Sequence, residues 1–217
     1  MRTARGEMLA DETWLAARIA ELNASWRTDS LRVGATLWWC MTASALIEPV
    51  VRALVREIPI APPALDRVEM SLRPDGTVEK VRFRDTGARD AATGTGAGEA
   101  EGAGEIPPVL RATLSTVIDR LSALSGVREP ALWAVVTDAL ANWAVDAGAP
   151  RLGQRLAAEI GSALPVPRFV EVGGRTFVKR ASCCLVYEAP NCEKCVSCPK
   201  RPPAERAALL ADYARRA

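Results

Sequence analysis

The chain of 217 residues contains no histidine at all. That absence excludes Ser–His–Asp triads, histidine general acid–base chemistry and every metal site that needs imidazole, Rieske-type iron–sulfur centres included. Any metal held here is held by sulfur, carboxylate or backbone. Charge of one sign is also lacking: 28 basic residues face 26 acidic ones, so no electrostatic footprint for nucleic acid is present and none is expected as a partner. A Gly-x-Gly-x-x-Gly fingerprint and a Gly-Lys-Ser/Thr phosphate loop are both missing, which leaves no sequence signal for a bound nucleotide or flavin. Aromatic residues make up only 5% of the chain, but apolar residues reach 49%, enough for a proper core. The amino terminus lacks an apolar stretch of signal-peptide length. The most apolar run, Val33 to Ile47, is fifteen residues between Arg32 and Glu48, short of the roughly 18–20 that span a bilayer. No transmembrane segment is therefore expected, the run reads as a buried core helix, and the protein reads as cytoplasmic.

What is present in excess lies near the far end. Five of the six cysteines fall within sixteen residues: Cys183, Cys184, Cys192, Cys195 and Cys198. A disulfide framework would scatter its cysteines, and cytoplasmic thiols stay reduced, so the cluster reads as a metal site. Thiolates are soft ligands suited to zinc or iron–sulfur clusters, and four complete either kind. Cys195-x-x-Cys198 is a chelating turn whose short gap aims both sulfurs at one point. Adjacent residues on a strand point to opposite faces, so Cys183 and Cys184 face one site only if the backbone bends there.

The pattern Cys-Cys-x10-Cys-x2-Cys resembles the C-terminal cluster motif of the ferric-siderophore reductase family, the FhuF-like ferric iron reductases. The resemblance covers only about the last forty residues. It implies a [2Fe–2S] cluster on Cys183, Cys184, Cys195 and Cys198, with no catalytic residue beyond the cluster. It further implies a cytoplasmic oxidoreductase of iron homeostasis that passes one electron from the cluster to the Fe(III) of a siderophore and releases Fe(II). Electrons would come from an external donor, a protein or a small reductant. Cys192 departs from the pattern. It is a possible substitute ligand, and with it the run Cys192-x-x-Cys195-x-x-Cys198 echoes a [4Fe–4S] ferredoxin. We rank [2Fe–2S] ahead of zinc and zinc ahead of [4Fe–4S]. The alternative function is a zinc- or cluster-stabilised binding or redox-sensing module without reductase activity.

The expected fold is mainly α (α+β): a helical bundle with two small β-hairpins and a cysteine-rich lobe. Periodic apolar positions and caps place helices over residues 11–26, 30–58, 107–125, 130–147 and 150–164, with Pro49 kinking or dividing the second. Alternation places one hairpin over 68–83 and another over 168–179, around Gly173-Gly174. A last helix follows Pro202 and Pro203. We divide the chain into a helical ferric-reductase-like domain, 1–166, and a cluster lobe, 167–217. The Gly/Ala-rich stretch 86–105 reads as a flexible loop within the first. Cys40, among Trp38, Trp39 and Met41, reads as a small buried hydrophobe, and the tryptophans as core. Arg168, Arg175, Lys179, Arg180, Lys194, Lys200 and Arg201 gather around the cysteines. They form a solvated face, a dock for an acidic donor, a guide for an anionic chelate or a means of raising the cluster potential.

Overall fold

The structure is a computed structural model and describes residues 2–84 and 105–216. The Gly/Ala-rich stretch therefore lies, except for Glu105, outside the described residues. Helix α1, Glu12–Trp26, starts where the Asp11 side chain accepts the Trp14 amide at 2.7 Å. Helix α2, Leu31–Arg56, starts where Ser30 accepts the Val33 amide. Of the two outcomes expected at Pro49, a kink or a division, the structure excludes division: α2 runs through it as one helix. Ile47, Val50 and Val51 on either side are fully buried, and that packing outweighs one missing amide donor.

Strand β1, Arg2–Arg5, pairs antiparallel with β2, Val68–Leu72, which pairs in turn with β3, Val78–Phe83. The first hairpin is thus the core of a three-stranded sheet, with Arg2 opposite Leu72 and Met70 opposite Val81. The bundle continues with α3, Ile106–Ser125, α4, Glu129–Asp146, and α5, Pro150–Ile160. Proline stands in the first turn of all three, as the sequence pattern predicts. Helix α5 ends at Ile160 rather than Leu164, because Gly161 takes a positive φ and breaks the run. The second hairpin, β4 Phe169–Val172 with β5 Arg175–Val178, and a last helix, α6 Pro203–Arg216, complete the chain. Mainly helical architecture with small antiparallel sheets is what the sequence led us to expect.

Helix α2 is the organising element, touching α1, α3, α4 and β3. It passes a length-and-composition test for a membrane span, being longer than its charge-free run, but fifteen of its residues are buried inside the fold. Trp38 and Trp39 are wholly buried, and each indole donates to a distant carbonyl: Trp38 to Gly76 at 3.0 Å and Trp39 to Leu132 at 3.0 Å. They are core residues that fix the sheet and α4 to one helix. Trp143 of α4 returns the bond to Ser44 of α2 at 3.0 Å. The α2–α4 pair so pinned is the floor on which the cysteine lobe rests.

Candidate metal centre

The lobe is fastened by one carboxylate. Asp138 stands in the middle of α4 in an otherwise uncharged run from Leu132 to Ala144, and only 3% of its surface is exposed. A buried carboxylate is costly unless its lone pairs are filled, and here they are filled by three consecutive residues leaving β5. Oδ1 accepts the Ala181 amide at 2.7 Å. Oδ2 accepts the Ser182 amide at 2.9 Å, the Ser182 hydroxyl at 2.6 Å and Arg180 Nε at 3.2 Å. Cys183 and Cys184 follow directly. Neither cysteine lies in a strand, so strand alternation does not force them to opposite faces, and Leu185 then turns the chain in a left-handed conformation, φ +62°. A short turn over Val186–Glu188 brings the chain back against α2, where Glu188 pairs with Arg32.

The second half of the lobe is fastened by arginines. Arg201 donates from Nε to the Cys195 carbonyl at 3.0 Å, from Nη2 to the Lys194 carbonyl, and from Nη1 to Glu205. Arg206 Nη1 reaches the Cys198 carbonyl at 3.4 Å. These bonds hold the Cys195–Cys198 turn on the start of α6. Of the seven cations gathered around the cysteines, Arg180 and Arg201 are therefore internal ties, not a solvated face.

The sulfurs pair across the lobe. Cys183 Sγ lies 3.8 Å from Cys198 Sγ, and Cys184 and Cys195 lie near enough to shift each other's protonation. The Cys195–Cys198 turn closes with the Cys198 amide donating to the Cys195 carbonyl at 3.1 Å, and it brings Cys198 to Cys183. Among the described residues, no three metal-binding side chains converge on a single point. Cys192 takes no part in these thiol contacts; its amide bonds to the Ala189 carbonyl at 3.3 Å.

Arg180 carries the electrostatics. Its Nη1 lies 3.6 Å from Cys195 Sγ. Burial opposes its charge, but Asp138 and the surrounding thiols hold it protonated. Cys195 is lowered to about 5, first by Cys184 and, against burial, by Arg180. Cys184 is pushed up by Cys195 and by burial, and Cys183 by burial and then by Cys198. Of these thiols Cys195 is the one whose surroundings favour the thiolate, the form that binds soft metals. Cys40 faces this lobe from α2 and senses its charges, but burial pushes its thiol up to about 12. It remains a neutral neighbour.

Residues 180–200 match the FhuF 2Fe-2S C-terminal domain. The match is consistent with the FhuF-like ferric-siderophore reductase family and points to an iron–sulfur cluster. It begins at Arg180, the residue that links Asp138 to Cys195, and takes in all five clustered cysteines. No curated protein matches the chain.

Two cavities flank the clustered cysteines. One, of about 410 Å³, opens beside Cys183 between the start of α4, Arg32 of α2 and Lys200. The other, of about 370 Å³, opens beside Cys195 and is walled by Phe177 and Tyr213, whose rings meet edge to face at 6.1 Å. Sequence reasoning missed Asp138, whose signal was a single carboxylate inside an apolar helix. It also missed the placement of Arg32 and Arg128, which no local pattern marks.

Proposed function

We propose that the protein is a cytoplasmic ferric-siderophore reductase in which Cys183, Cys184, Cys195 and Cys198 hold a [2Fe–2S] cluster. The observation that carries this reading is the approach of Cys183 to Cys198. Two sulfurs bound at about 2.3 Å to one tetrahedral metal lie about 3.8 Å apart, the separation of Cys183 and Cys198. One such pair suits one iron of a two-iron cluster, with Cys184 and Cys195 left to hold the second. When bound, a [2Fe–2S] cluster supplies and accepts single electrons, the number that separates Fe(III) from Fe(II).

The chain's own residues do the rest. Arg180 offsets thiolate charge at Cys195, and Asp138 fixes its position and prevents an unpaired buried cation. Cys198, 2% exposed, is kept from water by the lobe. No proton need move, so the absence of histidine is no obstacle. The product Fe(II) is released because hard oxygen donors hold it more weakly than Fe(III). An external protein or small reductant supplies the electron.

A second reading is a zinc- or cluster-stabilised binding or redox-sensing module, a staple for a lobe with little core of its own. In its favour, α6 buries only Leu210. The two separate on anaerobic purification with iron, sulfide and zinc analysis, a visible spectrum, and EPR after dithionite. Two irons and two sulfides per chain with an S = 1/2 signal are expected. Stopped-flow oxidation of the reduced protein by ferric chelates then follows. One zinc in a colourless protein would withdraw the reductase.

A further inference from the structure

The cavity beside Cys183 is lined by cations and by no carboxylate. Its rim carries three cations from three separate parts of the chain: Arg32 at the start of α2, Arg128 before α4, and Lys200 after the last cysteine. Arg32 shares its charge with Glu188, outside the rim, while among the described residues neither Arg128 nor Lys200 makes an ion pair. The first turn of α4 forms one wall. Its cap residue, Arg128, provides no side-chain acceptor for the helix amides, so the positive end of the helix dipole adds to the same field. Small side chains, Ala131 and Ala134, leave the space open, and the opposite wall is the Ala181–Cys183 segment that Asp138 holds rigid. At about 410 Å³ the cavity is within the range that holds small-molecule ligands.

We propose that this cavity receives the negatively charged oxygen arms of an anionic ferric chelate. The inference rests on the reductase reading, whose substrate it narrows to chelates bearing free carboxylate or catecholate charge. Arginine forks match such groups in pairs, and an array of cations from separate elements selects net charge rather than one ligand skeleton. A chelate so held lies against Cys183, the half-exposed member of the Cys183–Cys198 pair. Neutral or cationic chelates gain nothing from the rim and are disfavoured.

The test uses binding without electron transfer. Gallium(III) has the charge of Fe(III) but is not reduced, so gallium(III) citrate and the gallium(III) complex of a cationic trihydroxamate are titrated calorimetrically into the oxidised protein with its metal in place. Wild type should bind the citrate complex more tightly. Arg128→Glu with Lys200→Glu should weaken it at least about tenfold and leave the trihydroxamate complex within about twofold, with an unchanged visible spectrum reporting an intact lobe. If the double reversal fails to fold, Arg128→Gln with Lys200→Gln gives the same ordering with a smaller loss. Equal weakening of both complexes, no weakening, or no saturable citrate binding to wild type overturns the proposal. Selective gallium binding with no reduction of the iron complexes would remove the reductase and leave the cavity standing. Variants that still reduce anionic ferric chelates with wild-type affinity would remove the cavity and leave the reductase standing.

Discussion

Asp138 Oδ2 and Arg180 Nε lie 3.2 Å apart, both side chains nearly withdrawn from water, and the same guanidinium reaches Cys195 Sγ with its other edge. One carboxylate on a bundle helix is thereby connected to the electronic surroundings of the cysteines. Breaking a buried pair by removing one partner costs about 3–5 kcal/mol. Asp138→Ala should lower stability by that order in urea denaturation and reduce iron retention. Asp138→Asn keeps an acceptor for the Ser182 or Ala181 amide and should lose less. In whatever fraction of the Asn variant retains its iron, the unbalanced Arg180 charge should move the reduction potential upward in an EPR-monitored titration. A lower potential would contradict the role given to Arg180.

The proposed ligand set makes a sharp division among six thiols. Cys183→Ser, Cys184→Ser, Cys195→Ser and Cys198→Ser should each lose most of the bound iron. Cys192→Ser and Cys40→Ala should retain it. Iron and sulfide analysis of the six purified variants decides the matter, and iron loss on replacing Cys192 would promote it to a ligand.

In the metal-free, reduced protein the thiols should differ in reactivity with pH. Cys195, lowered to about 5 from 9.0, is the thiolate of its pair at neutral pH, so its alkylation rate should stay level as pH falls and drop only near that value. Cys40, pushed up to about 12, should remain unmodified throughout the neutral range. Peptide mass spectrometry after timed iodoacetamide exposure reads both. Arg180→Ala should shift the Cys195 profile upward, because a favourable cation is gone.

Gly76 marks the sheet's dependence on α1 and α2. Its φ is +79°, and a Cβ there would lie 2.6 Å from Glu21 Oε2 and 2.9 Å from the Arg18 carbonyl. Its own carbonyl accepts the Trp38 indole. Gly76→Ala should destabilise the fold by more than about 1 kcal/mol. Trp39→Phe, which leaves the Leu132 carbonyl without its donor, should cost about 1–3 kcal/mol. Denaturant midpoints of the two variants check both figures.

The sequence made the helices legible because their signals are local. Ser30, one of the two caps the sequence offers with Asp29, caps α2; Pro107, Pro130 and Pro150 stand in the first turns; and Gly126 closes α3 with a left-handed φ. The cysteine motif was legible for the same reason: its spacing is short and its residue type is rare. Strand β1 was not, because Arg2–Arg5 has no apolar alternation and is a strand only through its pairing with β2. Nor was the approach of Cys183 to Cys198, which depends on how the chain between them folds back. The basic cavity was hidden because Arg32, Arg128 and Lys200 are far apart in the chain, and only the packing of α4 on α2 brings them to one rim.

The pairing across the lobe also sets an order of events during synthesis. Each pair draws one thiol from before residues 185–194 and one from after, so a nascent chain that has reached only Cys184 can close neither. Asp138 fixes Ala181 and Ser182 to α4, so the first two thiols are placed by the bundle and the last two by the start of α6. On the proposed ligand set, loading is therefore a late step performed on a finished bundle. The four thiols stand together only when both the bundle and α6 have folded.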